Sequence, residues 1–412
     1  MANTQEKPET ISSDLDRITA EGTDLLSNLR VAIVHYWFVK FRGGERVVEA
    51  LAGIFPQADL FTLVLDPDAL PPSLRSRHFT TSFLQKMPGV KHHYKKLLPL
   101  FPLALEQFDL DGYDLVISSE SGAAKGILTR PGTCHICYCH TPMRYIWDMY
   151  HPYRAKPGMG GVARLVFSLS AHYMRLWDYA AAARVDYFVA NSRNVAGRIG
   201  KHYRRKATVI NPPVDVCAGS ISPQVGDYYL TVGQLVDYKR VDLAIEACNR
   251  LRRPLRIIGE GEEFERLRTL AGPTVKFMGH LSDQELRENY AHCRALLFPG
   301  EEDFGIVPVE AQSFGRPVIA FGRGGALETV VGGSPPEPGV PETSTGVFFT
   351  EQSADSLAGA IRWFESNESR FSPDFIRRQA ERFGVSRFKA EIRAFINARM
   401  LEFRNKQIET GG

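Results

Sequence analysis

Apolar residues along this chain gather in short runs, and most runs are followed by a stretch in which apolar positions recur every three or four residues. The first pattern reads as a buried strand and the second as an amphipathic helix. Residues 30–35 form the first such strand. A glycine pair and a helix over 45–54 follow, then strands at 59–63, 115–118, 132–138, 187–191 and 208–210, with a helix after the fifth. Near 228 the pattern starts again. Strands are expected at 228–233, 255–259, 275–278, 295–299, 317–321 and 346–349, and helices at 241–250, 262–270 and 283–292. Strand runs this uniformly apolar need cover on both faces, and repeated strand–helix alternation supplies it. The fold class expected is therefore α/β, with two doubly wound parallel sheets.

Proline, serine and glycine concentrate over 212–228, which marks a hinge between two domains. The division predicted is a disordered polar extension over 1–27, a first domain over 28–213, a second over 214–386, and a last helix over 387–412. A chain of 412 residues is long enough for each domain to bury its own core. Its N-terminus lacks a basic start followed by an apolar stretch, so no signal peptide is read and the cytoplasm is the expected location. No apolar run approaches the roughly 20 residues of a membrane span. The net charge of +3 is too small to argue for a nucleic-acid partner.

Three of the six cysteines, Cys134, Cys137 and Cys139, crowd together beside His135 and His140. On a strand Cys137 and Cys139 share one face and Cys134 takes the other, so one strand cannot wrap four ligands around a zinc ion. Buried thiols on a central strand are the expectation.

Candidate chemistry centres on Glu302 and Glu310, which bracket Phe304-Gly305-Ile306-Val307-Pro308. Strand 295–299 precedes them and an apolar helix pattern follows. Strand-to-helix turns are where open α/β sheets bind ligands, and a helix N-terminus attracts phosphate. Carboxylates beside a phosphate need hydroxyls between them, and a nucleotide-sugar offers a diphosphate together with two diols. Gly43-Gly44 before Glu45 either lets backbone N–H groups approach an oxyanion or merely makes a turn of positive φ. His140, at the end of the fourth strand, is either in the ligand crevice or a structural cap. Lys239 and Arg240 open a helix, where they either face a diphosphate or form a solvated pair. Gly259-Glu260-Gly261 lacks the third glycine of a dinucleotide fingerprint, since Phe264 stands there. Gly324-Gly325 with Glu328 repeats the glycine-loop pattern and is expected at the same cleft. Over 90–108, Lys91, His92, His93, Lys95 and Lys96 precede Leu97, Leu98, Leu100, Phe101, Leu103 and Leu105. The segment either docks on an anionic membrane surface or buries its apolar half in the core.

The glutamate pair in Pro299-Gly300-Glu301-Glu302-Asp303-Phe304-Gly305, continued by residues 311–318, resembles glycosyltransferase family 4. Gly43-Gly44-Glu45, the Asn-Pro-Pro-Val-Asp stretch at 211–215, Lys239 and Gly259-Glu260-Gly261 strengthen the likeness, which spans about 29–388. The resemblance implies a GT-B fold, two Rossmann-like domains facing a cleft, with the last helix returning to the first domain. It implies retaining sugar transfer from a nucleotide-sugar, with no cofactor and no bound metal. On that reading Glu310 holds the ribose hydroxyls and Glu302 the donor sugar, and the backbone of Phe304, Gly305, Ile306 and Val307 holds sugar and phosphates. Lys239 neutralises the diphosphate, Gly43 and Gly44 approach it, and His140 contacts the donor sugar.

One departure stands out. The family's usual arginine is Gln234 here, with Arg240 as a candidate substitute. The stretch 138–148, with Tyr238-Lys239-Arg240-Val241-Asp242, is similar to bacterial mannosyltransferases of O-antigen and exopolysaccharide assembly. That implies GDP-mannose as donor, a lipid-diphosphate-linked saccharide as acceptor, and peripheral contact with the inner face of the cytoplasmic membrane. A UDP-sugar-dependent transferase of the same family and a catalytically silent nucleotide-binding scaffold of the same fold are the alternatives.

Overall fold

The computed structural model describes residues 26–156, 158–334 and 343–410; the predicted extension falls almost wholly outside them. Thirteen strands form two wholly parallel sheets among these residues. The first sheet contains β1 (Val31–His35), β2 (Asp59–Thr62), β3 (Phe79–Thr81), β4 (Leu115–Glu120), β5 (Cys134–Cys139), β6 (Tyr187–Ala190) and β7 (Ala207–Val209), in the order β3-β2-β1-β4-β5-β6-β7. The second contains β8 (Tyr229–Val232), β9 (Leu255–Ile258), β10 (Val275–Gly279), β11 (Ala295–Phe298), β12 (Val318–Phe321) and β13 (Gly346–Phe349), in the order β10-β9-β8-β11-β12-β13. Both are doubly wound, as expected. In each the order of strand addition reverses, between β1 and β4 and between β8 and β11, and ligand crevices open at such switch points.

Strand alternation sorts side chains between the two faces of each sheet. In the first sheet Val31, Ile33, Leu115, Ile117 and Ile136 join one core, while Ala32, Val34, Phe61 and Val116 join the other. Tyr229, Ile257, Leu297 and Ile319 pack with helices Val241–Leu251 and Ala354–Ser366, and Leu230, Leu296, Val318 and Ala320 pack on the opposite face with Tyr290, Ala311 and Phe314. Burying each large aliphatic side chain contributes about 1.5–3 kcal/mol, so a strand slipped by one residue would exchange the two cores and lose most of that. Cys134, Cys137 and Cys139 are free, buried thiols on β5, which agrees with the strand reading.

The last helix, Val385–Thr410, crosses back to the first domain. Phe388, Ile392, Ile396 and Met400, spaced four apart, enter the same core as Val31 and Phe55. Where the chain changes domain, the Val214 N–H donates to the Phe383 carbonyl, and Val214, Val216, Phe304, Val309, Ala380 and Phe383 form a small apolar hinge core.

Helix Gly161–Ala183 is absent from the elements the sequence reading predicts, as are β3 and helices Ala354–Ser366 and Pro373–Glu381. The segment 90–108 folds as short turns of helix. Val90, Phe101, Ala104, Leu105 and Phe108 enter the first-domain core, while Leu100, Leu103, Lys95 and Lys96 stay exposed. The apolar half is therefore mostly core, with Pro99 inside one short helical turn and Pro102 in the first turn of the next.

Candidate active site

The carboxyl ends of β1, β4 and β5 face those of β8, β9 and β11 across a cleft of about 1400 Å³. Of the site residues the sequence singles out, Gly43, Gly44, His140, Gln234, Lys239, Glu302, Phe304, Gly305, Ile306, Val307 and Glu310 all line it. Arg240 does not. It takes a left-handed conformation at φ 50° and turns its guanidinium onto Asp242, with Nη2–Oδ2 at 3.1 Å. The structure therefore does not bring Arg240 to the cleft as a substitute for the arginine missing at 234.

The wall from the second domain rests on glycines. Gly305 has φ 92° and precedes helix Ile306–Ser313, so the chain turns sharply and the first helical residues, Ile306 and Val307, line the cleft. Gly324-Gly325 lies behind this loop, where Cβ atoms would fall 2.4 Å from the Glu302 carbonyl oxygen and 2.3 Å from Phe304 Cα. The pair serves loop-on-loop packing and does not line the cleft. Gly259 and Gly261 likewise admit the carbonyls of Gly233 and Leu235 at distances no Cβ tolerates.

Lys239 and Glu302 form a half-buried ion pair on this wall. The Tyr290 hydroxyl donates to Glu310 Oε2 at 2.9 Å, which leaves Oε1 free to accept from a ligand diol. Burial raises the Glu310 carboxyl above its ordinary range, and Arg46 across the cleft opposes that rise.

On the first-domain wall, helix Gly43–Ile54 begins with the glycine pair. Neither Gly43 nor Gly44 has positive φ, so close approach is what requires them. A Cβ on Gly44 would lie 2.9 Å from the Tyr36 hydroxyl and 3.5 Å from His140 Nε2. His140 is the outer end of a buried polar chain. Its Nε2 meets Ser119 Oγ at 2.8 Å, Ser119 Oγ meets His35 Nδ1 at 3.0 Å, and His35 Nε2 lies 3.8 Å from Glu45 Oε1. Burial, reinforced by His35, pushes the imidazole of His140 down to about 3. At neutral pH it is an uncharged hydrogen-bonding group, held in orientation by Ser119.

Several cross-domain contacts escape the sequence reading. Arg42 Nη1 donates to Gln234 Oε1 at 3.1 Å. Arg198 pairs with Asp303 and donates to Thr141 Oγ1 at 3.2 Å, and Arg144 Nη1 stands 3.8 Å from Asp303 Oδ2. Glu328 accepts from the backbone N–H groups of Arg193 and Asn194, at 3.0 and 3.3 Å, so it caps helix Arg193–Tyr203 and does not line the cleft. Position in the sequence marked two of these residues: Arg42 precedes the glycine pair, and Asp303 follows Glu302.

Comparison with known proteins agrees with the two-domain fold. A family model described as "Glycosyltransferase Family 4" matches residues 41–217, and one described as "Glycosyl transferases group 1" matches 221–382. Among curated proteins, the chain is 31% identical over 156 residues to the O-antigen chain mannosyltransferase C of Escherichia coli, covering 34% of this chain and 42% of that protein. It is 30% identical over 165 residues to the alpha-1,3/1,6-mannosyltransferase ALG2 of Candida glabrata, covering 40% and 34%. The chain spans under half the length of the curated relatives it matches. Among solved structures, the Anabaena HepE protein in complex with UDP and glucose aligns at TM-score 0.64 and 17% identity, covering 90% of this chain and 100% of that one. That likeness shows the fold.

Proposed function

We propose, for a chain that belongs to glycosyltransferase family 4 and carries its two-domain GT-B fold, that it transfers mannose from GDP-mannose with retention onto a lipid-diphosphate-linked oligosaccharide, in assembly of a bacterial polysaccharide. The observation that carries this reading is convergence. Glu302, Lys239, the start of helix Ile306–Ser313, and Glu310 form one wall, and Gly43, Gly44 and His140 form the other, around one cleft.

In this reading Glu310 accepts from the ribose hydroxyls through its free oxygen, and Glu302 accepts from the donor sugar. The backbone of Phe304, Gly305, Ile306 and Val307 with Lys239 binds the diphosphate, and no metal is required. Gly44 admits the donor close to the first domain, and His140 bonds a hydroxyl near the reacting carbon. The acceptor oxygen attacks the anomeric carbon on the face from which the diphosphate leaves. A diphosphate oxygen takes the acceptor proton, so no side-chain base is needed. Lys239 and the helix N-terminus stabilise the charge gathering on the leaving group. Neutral His140 adds no second cation beside the oxocarbenium-like carbon. Mannose is favoured by the named relatives at about 30% identity.

Access to a lipid-linked acceptor has a surface that fits it. No helix among the described residues is long and apolar enough to cross a membrane. Helix Gly161–Ala183, however, turns Val162, Leu165, Val166, Leu169, Tyr173 and Leu176 to solvent, with Val162 80% and Leu169 62% exposed. Its only acidic residue, Asp178, is buried, while Arg164 is exposed and the neighbouring turn exposes Lys95 and Lys96. An apolar stripe flanked by cations complements an anionic lipid surface.

Calorimetric titration with GDP and UDP, then incubation with radiolabelled GDP-mannose and a lipid extract of the native host, tests the proposal. GDP binding and label in the lipid fraction are expected. Preference for UDP would move the donor to a UDP-sugar, nucleotide binding without transfer would leave the silent scaffold, and binding of neither nucleotide would end the donor-site reading.

A further inference from the structure

Gln234 removes a cation from the donor wall, and the structure shows what faces that position. Arg42 belongs to the other domain and lines the same cleft. Its backbone N–H donates to Glu45 Oε2 at 3.0 Å, which fixes the foot of the residue at the start of helix Gly43–Ile54. From there the side chain spans the cleft and donates through Nη1 to Gln234 Oε1 at 3.1 Å.

We propose that Arg42 is the second cation of the diphosphate clamp, delivered from the first domain, with Gln234 as the guide that orients it. This deepens the donor-site reading above and rests on it. A guanidinium carries five donors in a fixed plane, and one amide carbonyl engages a single donor. The others remain suited to phosphate oxygens beside Lys239. Arg240 has no such freedom, because Asp242 holds it outside the cleft. An arginine at 234 would set two guanidinium groups against each other at this distance, whereas a glutamine carbonyl accepts from one. Glutamine at 234 and arginine at 42 therefore fit as a matched exchange.

The exchange has a mechanistic consequence. A cation carried on the donor domain stays with the diphosphate whether the domains are open or closed. Arg42 reaches it only when they close, so full stabilisation of the leaving group waits on closure, the step that also excludes water.

The test uses the full chain, with GDP, UDP and the corresponding monophosphates as calorimetric probes. Arg42→Ala should weaken the diphosphate that the wild type binds by about 10- to 100-fold, the loss of one charge-assisted contact, with a much smaller effect on its monophosphate. Gln234→Arg in the Arg42→Ala background should restore affinity to within about threefold. Thermal melts check that each variant is folded. Unchanged diphosphate affinity in folded Arg42→Ala overturns the proposal, and so does an equal loss for mono- and diphosphate or a failure of Gln234→Arg to rescue. Wild-type protein that binds neither diphosphate overturns the donor-site reading itself, and this inference with it.

Discussion

Gly43 and Ile306 face each other across the domain boundary, and a Cβ built on Gly43 would lie 2.4 Å from Cδ1 of Ile306. The start of a helix in one domain thus meets the first turn of a helix in the other, with room for a side chain on Gly43 only if the end of Ile306 moves. The contact atom is the end of an isoleucine, which can rotate, so Gly43→Ala should be mild. Gly43→Val exceeds that freedom and should hold the walls apart. Overpacking of this kind costs about 1–3 kcal/mol, roughly 5- to 150-fold in kcat/KM. Ile306→Ala in the same chain should recover most of the loss. Kinetics of the single and double variants decide it, and independent, additive effects would count against the contact.

Glu310→Gln keeps an acceptor for the Tyr290 hydroxyl and removes only the charge that the proposal sets against the ribose. Lys239→Ala removes the cation assigned to the diphosphate and leaves Glu302 without its partner. Each should lower transfer by about 10²–10³-fold, while thermal midpoints stay near that of the wild type. Near-normal turnover in both would sink the assigned roles.

The exposed stripe of helix Gly161–Ala183 predicts binding to anionic vesicles. Leu165→Glu, Leu169→Glu and Leu176→Glu together replace apolar contact with repulsion, and should weaken co-sedimentation with phosphatidylglycerol vesicles by at least about tenfold. All three side chains are exposed, so the fold should persist. Equal binding by wild type and variant would remove the lipid surface from the proposal. A wild-type dimer that the substitutions dissociate, seen by light scattering, would assign the stripe to a second copy of the chain.

His135 lies on β5 with its ring fully buried, and its Nε2 meets Ser118 Oγ at 2.8 Å. Burial first, then Arg184, pushes its imidazole down to about 3. The folded chain thus holds His135 neutral between pH 3 and the ordinary histidine value near 6.5, while the unfolded chain binds a proton there. Stability contributed by this group is complete above about 6.5 and falls with decreasing pH, with a slope of about 1.4 kcal/mol per pH unit inside the window. His135→Gln should flatten the pH dependence of urea unfolding between pH 6.5 and 4. An unchanged slope would show that other groups set it.

Much of the architecture is legible in the residue pattern because buried parallel strands must be apolar on both faces. Helix Asp283–His292 and strand Gly346–Phe349 fall where periodicity places them. Helix Gly161–Ala183 is harder to read, since its second apolar stripe faces solvent and blurs the single-faced pattern of a core helix. Gly324-Gly325 carries the pattern of a ligand loop, yet packs beneath one. Glycine in sequence reports close approach without reporting what approaches.

The sequence alone marks Glu302 and Glu310 near the ends of strands, with Gly305 turning the chain into a helix, as candidates to hold a nucleotide-sugar, and the family resemblance adds Lys239. The same resemblance marks Gln234 as standing where the family usually has an arginine. Only the tertiary structure decides which groups meet. Arg42 and Gln234 are far apart along the chain and touch because two sheets present their carboxyl ends to one cleft. Arg240, six residues from Gln234, points elsewhere because Asp242 is nearer still. Local pattern reports propensity and burial, which short-range sterics and hydrophobicity govern, whereas partnership across the cleft follows from how the two domains are packed.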